Sequence, residues 1–223
     1  MVREIAHRGY AGRNAENTLG AVRAAAETAD AVEVDVRRCA DDLVVCHDET
    51  VERVAGVEGR IEDISAADLD ALSVFGSGDG VPRLAAVLDA VPADVDFVLE
   101  LKEQGIAADV LALAAGVDND VLVSAFDPET LREARGAAPE VPRAYLTEGS
   151  PTRSVETARE LGCDAVHPRA DLCLRSRIVG RAHDAGLSVA AWTVKSRLVA
   201  WLLVRRGVDG LITDIPATDR GWL

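Results

Sequence analysis

Short runs rich in Val, Ile and Leu alternate with Ala-, Leu-, Arg- and Glu-rich stretches of helical length from one end of this chain to the other. Parallel strands need a long crossover between them, so this alternation implies repeated strand–helix–strand units and a parallel sheet. Strands are expected at residues 4–6, 31–36, 43–46, 96–101, 121–124, 143–146, 165–167, 188–193 and 210–213. Helices are expected at 18–27, 84–90, 106–115, 128–136, 154–162, 175–185 and 197–206. Asp127-Pro128 supplies an N-cap and a first-turn proline, and glycines 136, 162, 186 and 207 fall where helices use them to stop. About eight such units in 223 residues fit a compact (β/α)8 TIM barrel. An open doubly wound sheet is disfavoured, since no G-x-G-x-x-G follows the first strand. The chain reads as one barrel domain, 1–223, with an irregular insertion after the second strand region, at about 48–81. On a barrel that loop overlies the mouth, as a lid, a substrate-selecting element or a plain surface elaboration.

Charge narrows the partners. The sequence holds 22 Arg and 2 Lys (Lys102 and Lys195) against 22 Asp and 16 Glu, for a formal net charge of −14. Such a Lys-poor, Asp-rich balance resembles proteins adapted to high salt, where screening relieves self-repulsion. It argues against nucleic acid and anionic membranes, which require a basic face. A small-molecule partner is expected, and the oligomeric state stays open. No apolar run is long enough to span a bilayer, and the first residues lack an apolar segment of signal-peptide length, so a cytoplasmic location is the expectation. Cys39, Cys46, Cys163 and Cys173 show no Cys-x-x-Cys spacing and read as reduced, buried small hydrophobes rather than a zinc site.

Strand periodicity then groups the polar side chains. In 31–36, Glu33 and Asp35 face away from Val32, Val34 and Val36; in 96–102, Glu100 and Lys102 share a face with Val98. His7 and His47 end apolar runs on the faces of Ile5 and Val45. These positions, at strand C-terminal ends, form the catalytic face of a barrel. Three convergent carboxylates need a cation, and oxygen-only ligands favour Mg2+ or Ca2+. The alternative is neutralisation by Arg8, Arg37 and Lys102. Two imidazoles beside such a centre can take and deliver the protons of a displacement at phosphorus. Arg8 and Lys102 are anion-binding candidates, Trp192 a pocket wall, and the loop of Gly9 and Gly12 a weak candidate for a phosphate cradle. His167 and His183 read as structural.

His7-Arg8-Gly9, Glu16-Asn17-Thr18, Glu33-x-Asp35, His47-Asp48, Glu100-x-Lys102, Ser124-x-Phe126-Asp127 and Trp192-Thr193-Val194 occur in this order, followed by Gly207-Val208-Asp209-Gly210-Leu211-Ile212-Thr213-Asp214-x-Pro216. Together they resemble the glycerophosphodiester phosphodiesterases across essentially the whole chain. The resemblance implies a metal-dependent (β/α)8 barrel that hydrolyses glycerophosphodiesters to glycerol phosphate and an alcohol. Matched by position, it implies Glu33, Asp35 and Glu100 as metal ligands and His7 and His47 as general acid and base. Arg8 and Lys102 would contact the phosphate. Either water or the glycerol hydroxyl can be the nucleophile, the latter through a cyclic phosphate. The sequence departs from the family after His47-Asp48, where an Arg-Thr-Thr-rich stretch is usual and here reads Glu49-Thr50-Val51-Glu52-Arg53-Val54-Ala55-Gly56, and in Lys195, where asparagine is common. The segment after Pro216 is short, which implies a truncated last helix. Two other functions stand beside this one: a non-catalytic phosphodiester- or metal-binding barrel, and a barrel aldolase with Lys102 as Schiff-base amine.

Overall fold

The computed structural model describes residues 2–216. Among the described residues nine strands are present: β1 (Arg3–His7), β2 (Ala31–Arg38), β3 (Leu43–Val45), β4 (Asp96–Leu101), β5 (Val121–Ala125), β6 (Arg143–Thr147), β7 (Ala165–Pro168), β8 (Ser188–Val194) and β9 (Gly210–Thr213). Eight of them, all except β3, pair in parallel, and β1 bonds both β2 and β9. The sheet therefore closes on itself, giving the expected (β/α)8 TIM barrel. The helices are α1 (Leu19–Ala26), α2 (Glu52–Ala55), α3 (Ala66–Asp70), α4 (Leu84–Leu88), α5 (Ala107–Ala114), α6 (Pro128–Ala137), α7 (Pro151–Glu160), α8 (Ala170–Arg175), α9 (Ile178–Asp184) and α10 (Arg197–Arg206).

Alternation along the strands creates two apolar layers. Val32, Val34, Val36, Leu99, Val123 and Val189 join the helices' buried faces in the main core outside the barrel. Ile5, Ala31, Val98, Ala190 and Ile212 fill the barrel's interior. Burying a Val or Leu side chain contributes roughly 1.5–3 kcal/mol, so the outer layer dominates stability and leaves the inner face free for polar groups.

β3 corrects one expectation. It runs antiparallel to β2, with Val36 opposite Val45, and is not a barrel stave. The connection of residues 39–42 is far too short for a parallel crossover, so a hairpin forms. His47 consequently reaches the mouth from a returning hairpin arm and not from the end of a barrel strand.

Residues 48–81 are more ordered than their composition implies. They hold α2, α3 and two single 3-10 turns at Ile61–Asp63 and Val74–Gly76. Val51, Val54, Ile61, Leu69, Val74 and Val81 pack with Val44 and Cys46 into a second small core. Other boundaries moved for local reasons. Pro151 opens α7 three residues before the expected start, at 154. The helix expected at 175–185 is confined to α9, because Ser176 is extended (φ −134°) and separates it from α8, which ends at Arg175. Gly136 lies inside α6 and does not stop it. The expected truncated last helix lies outside the described residues. Among the described residues all four cysteines are free and buried, and no helix is long and apolar enough to cross a membrane.

Candidate active site

The register of β2 on β4 sets Asp35 opposite Glu100, one pleat beyond Glu33 opposite Val98. All three carboxylates thereby point into the upper barrel, buried, with one oxygen of each within 4.8 Å of the others. Two cations stand against them. Arg8 Nε lies 3.0 Å from Asp35 Oδ2, and Lys102 Nζ lies 2.5 Å from Glu100 Oε1 and 3.4 Å from Asp35 Oδ1. Asn17 Nδ2 donates to Asp35 Oδ2 at 2.9 Å, and the Arg8 amide donates to Glu33 Oε2 at 3.0 Å.

This supply of positive charge serves one acid and starves two. Burial disfavours Asp35's charge, but Arg8 and Lys102 outweigh it and hold the carboxyl at about 2. Burial and then Asp35's charge push Glu100 up to about 7. The same causes, burial first and Asp35 second, drive Glu33 well above the carboxylate range. Asp35 Oδ1, fully buried, accepts no hydrogen bond. Three clustered carboxylates, with one oxygen of Asp35 accepting no hydrogen bond and two acids held above their ordinary pKa despite Arg8 and Lys102, fit a divalent cation, and an all-oxygen donor set belongs to the Mg2+ and Ca2+ class.

Each candidate histidine is held by a carboxylate. His7 Nδ1 lies 2.6 Å from Asp214 Oδ1, and His47 Nδ1 lies 2.6 Å from Asp48 Oδ1. Both aspartates sit below their ordinary pKa: burial opposes ionisation, and contacts with His7 and Lys195 at Asp214, or with Arg53 and His47 at Asp48, overcome it. An ionised carboxylate only accepts, so each Nδ1 carries a proton, and the Nε2 of each ring accepts when the ring is neutral and donates when it is protonated. Burial, the largest influence on His47, lowers its pKa.

His7, His47, Arg8, Glu33, Glu100, Lys102 and Trp192 line one cavity of about 190 Å³, with Val98, Phe126, Leu146 and Ile212 as its apolar wall. Phe126 and Trp192 meet edge to face, ring centres 5.3 Å apart, and Trp192 Nε1 donates to the His167 carbonyl at 2.7 Å. Arg37 does not join: it bonds the His47 carbonyl and Glu103. The glycine loop is no phosphate cradle, because the Gly9 and Gly12 amides donate to the carbonyls of Ala6 and Asp214. Gly12 is needed for close approach instead, since a Cβ there would lie 2.8 Å from Asp214 O. Lys102, flanked by Asp35 and Glu100, has a raised pKa despite its burial; Schiff-base chemistry needs the reverse. His167, also on the cavity wall, is buried with Nδ1 unpartnered, and desolvation alone lowers it to about 4.

Sequence reasoning left Asp48, Asp214, Glu16 and Asn17 without roles, although each stood inside a quoted motif. The usable signal was the side-chain type at fixed offsets from the histidines. Asp48 is the chain neighbour of His47, whereas Asp214, Glu16 and Asn17 became partners through the folding that brought them beside His7, Arg8 and Asp35.

The comparisons with known proteins agree with this geometry. Residues 7–218 match the model of the glycerophosphoryl diester phosphodiesterase family. A glycerophosphodiester phosphodiesterase of Caldanaerobacter subterraneus subsp. tengcongensis is 29% identical, the match covering 96% of this chain and 94% of the relative. YhdW of Bacillus subtilis is 31% identical, with 95% and 94% covered. The solved structure of an Oleispira antarctica phosphodiesterase in complex with the product sn-glycerol-3-phosphate superimposes with a TM-score of 0.88 at 26% identity, covering 99% of this chain and 96% of that one. A buried acidic triad and two carboxylate-held histidines at the mouth of a closed barrel, matched along almost the whole length, mark this chain as an enzyme belonging to the glycerophosphoryl diester phosphodiesterase family.

Proposed function

We propose that the protein hydrolyses small glycerophosphodiesters to glycerol phosphate and an alcohol, with His7 and His47 as the proton-transfer pair. The pairing of both rings to ionised aspartates carries this reading. One imidazole takes the proton of the attacking hydroxyl as its oxygen bonds to phosphorus. The other returns a proton to the alcohol oxygen as its bond to phosphorus breaks. His47, drawn by burial toward its neutral form, suits the first role.

Glu33, Asp35 and Glu100 would hold a divalent metal, which when bound polarises the phosphoryl oxygens and offsets charge in the transition state. Arg8 and Lys102 both line the cavity and would present cationic donors to a phosphate. Trp192 and Phe126, in edge-to-face contact on the cavity wall, would receive the carbon skeleton of the substrate. The whole chain would act as one barrel domain, 1–223, and the chemistry requires only a small-molecule partner.

Purified protein in high salt, assayed on glycerophosphocholine, glycerophosphoethanolamine and bis(p-nitrophenyl) phosphate with Mg2+, Ca2+ or EDTA, tests this. His47→Ala and Glu100→Ala run beside it. The expected result is metal-dependent release of glycerol phosphate, abolished in both variants. Binding of a glycerophosphodiester without turnover by folded, metal-loaded protein would replace the enzyme with a binding module.

A further inference from the structure

The Arg53 guanidinium ties the insertion to the carboxylate partners of two cavity residues, His47 and Arg8. Arg53, on α2, donates from Nε to Asp48 Oδ2 at 2.5 Å, on the carboxylate whose other oxygen holds His47 Nδ1. Its two terminal nitrogens grip both oxygens of Glu16, at 2.7 and 3.1 Å. Glu16 Oε1 in turn accepts from Arg8 at 2.9 Å. Arg53 is thus the shared member of two chains, one ending on His47 and the other on Arg8.

Geometry makes this more than a surface ion pair. A guanidinium fork fixes planes as well as distances, which an ammonium cannot do. With Oδ2 taken by Arg53, Asp48 is left with Oδ1 for the imidazole, so its rotation is locked. With both Glu16 oxygens bonded, Glu16 presents a set direction to Arg8. Phe75, from the 3-10 turn at the far side of the insertion, places its ring 5.6 Å from the guanidinium carbon. Phe75 sits at φ +51°, a conformation uncommon for an aromatic residue, and its ring stays half exposed over Arg53 rather than entering the insertion's core. The insertion therefore clasps Arg53 between its first helix and its last turn.

Resting on the functional reading above, we propose that Arg53 is a positioning residue that orients His47 through Asp48 and Arg8 through Glu16, making the insertion a brace for the active site. The two branches predict different kinetic signatures. Asp48→Asn lowers kcat through the misaligned imidazole; Glu16→Gln raises KM through a loosened phosphate contact. Arg53→Gln does both, with a loss in kcat/KM of roughly 10- to 100-fold, the range that outer partners of active-site ligands command. Arg53→Lys, which keeps the charge but loses the fork, rescues only part.

A double-mutant cycle decides the matter. Adding Arg53→Gln to Asp48→Asn should reduce kcat no further than Asp48→Asn alone; multiplicative losses would overturn the proposal. Ring 15N shifts of His47, read at neutral pH without substrate, give an arm independent of turnover. In the wild type Nδ1 carries the proton, whereas Arg53→Gln should move both ring nitrogens toward averaged values. An unchanged spectrum in folded Arg53→Gln would also overturn it. Should that variant fail to fold, Arg53→Lys and Phe75→Ala carry the same two readouts with smaller expected shifts in the same direction, and unchanged values in both would count against the brace. A wild type without phosphodiesterase turnover would sink the functional reading alone, and the spectrum would still decide the brace.

Discussion

His7 Nδ1 and Asp214 Oδ1 lie 2.6 Å apart across 207 residues of sequence. Their contact exists because β1 and β9 are neighbours in the closed barrel, with Ala6 opposite Thr213. Lys195, exposed at the end of β8, stands 3.4 Å from Asp214's other oxygen. Closure of the sheet is thus also what completes one of the two aspartate–histidine pairs.

Asp214→Asn preserves shape while removing the charge that keeps the proton on His7 Nδ1. It should lower kcat by about 10²- to 10⁴-fold, the contribution of a positioned proton-transfer group. Binding of substrate should persist. Steady-state kinetics on a glycerophosphodiester check this, and a kcat indistinguishable from wild type would remove Asp214 from the mechanism.

Within the triad, two neutralising substitutions should act with opposite sign on the metal-free protein. Asp35→Asn removes the carboxylate that Arg8 and Lys102 share, leaving them only Glu16 and Glu100, and should destabilise the protein by up to about 3–5 kcal/mol. Glu33→Gln removes a carboxylate crowded by Asp35 and Glu100, and should leave stability equal or higher while abolishing activity. Urea denaturation in EDTA compares them. A destabilised Glu33→Gln protein would show that its carboxylate is structurally satisfied.

His167 gives the fold a definite acid response. Its folded pKa, near 4, lies below the ordinary histidine value of 6.5 because the ring is buried. Between those values the unfolded chain binds more protons, so stability is full above pH 6.5 and falls as pH drops toward 4. The loss approaches about 3 kcal/mol. His167→Leu should flatten that part of the stability profile, measured by denaturant titration at several pH values. An unchanged slope would place the acid sensitivity elsewhere.

Leu69, fully buried, anchors the insertion's own core with Val54 and Ile61. Leu69→Ala should cost about 2–5 kcal/mol in local stability. Hydrogen exchange should rise first within residues 51–81, with kcat falling as Arg53 loses its seat. Protection lost uniformly across the barrel instead would show that insertion and barrel unfold as one unit.

Much of this was legible in residue order. Period-2 alternation in 31–36 and 96–102 separated Val32, Val34 and Val36 from Glu33 and Asp35, and Leu99 from Glu100, because adjacent strand side chains must face opposite ways. The strand–helix repeat specified a parallel sheet for the same kind of local reason, connection length. Helix ends were less secure where the determinant was a single backbone angle, as at Ser176, or a proline already inside the first turn, as at Pro151.

By itself, then, the sequence determined the barrel, the inward-facing acids and the two histidines, all consequences of local periodicity and chain length. Only the tertiary structure decided which carboxylate neutralises which cation, that His47 arrives on an antiparallel arm, and that Asp214 contacts His7 while Arg53 contacts Asp48 and Glu16. Those depend on through-space distances of a few ångströms between side chains, many of them far apart in sequence. Such distances are set when the sheet closes and the insertion packs, and no local pattern encodes them.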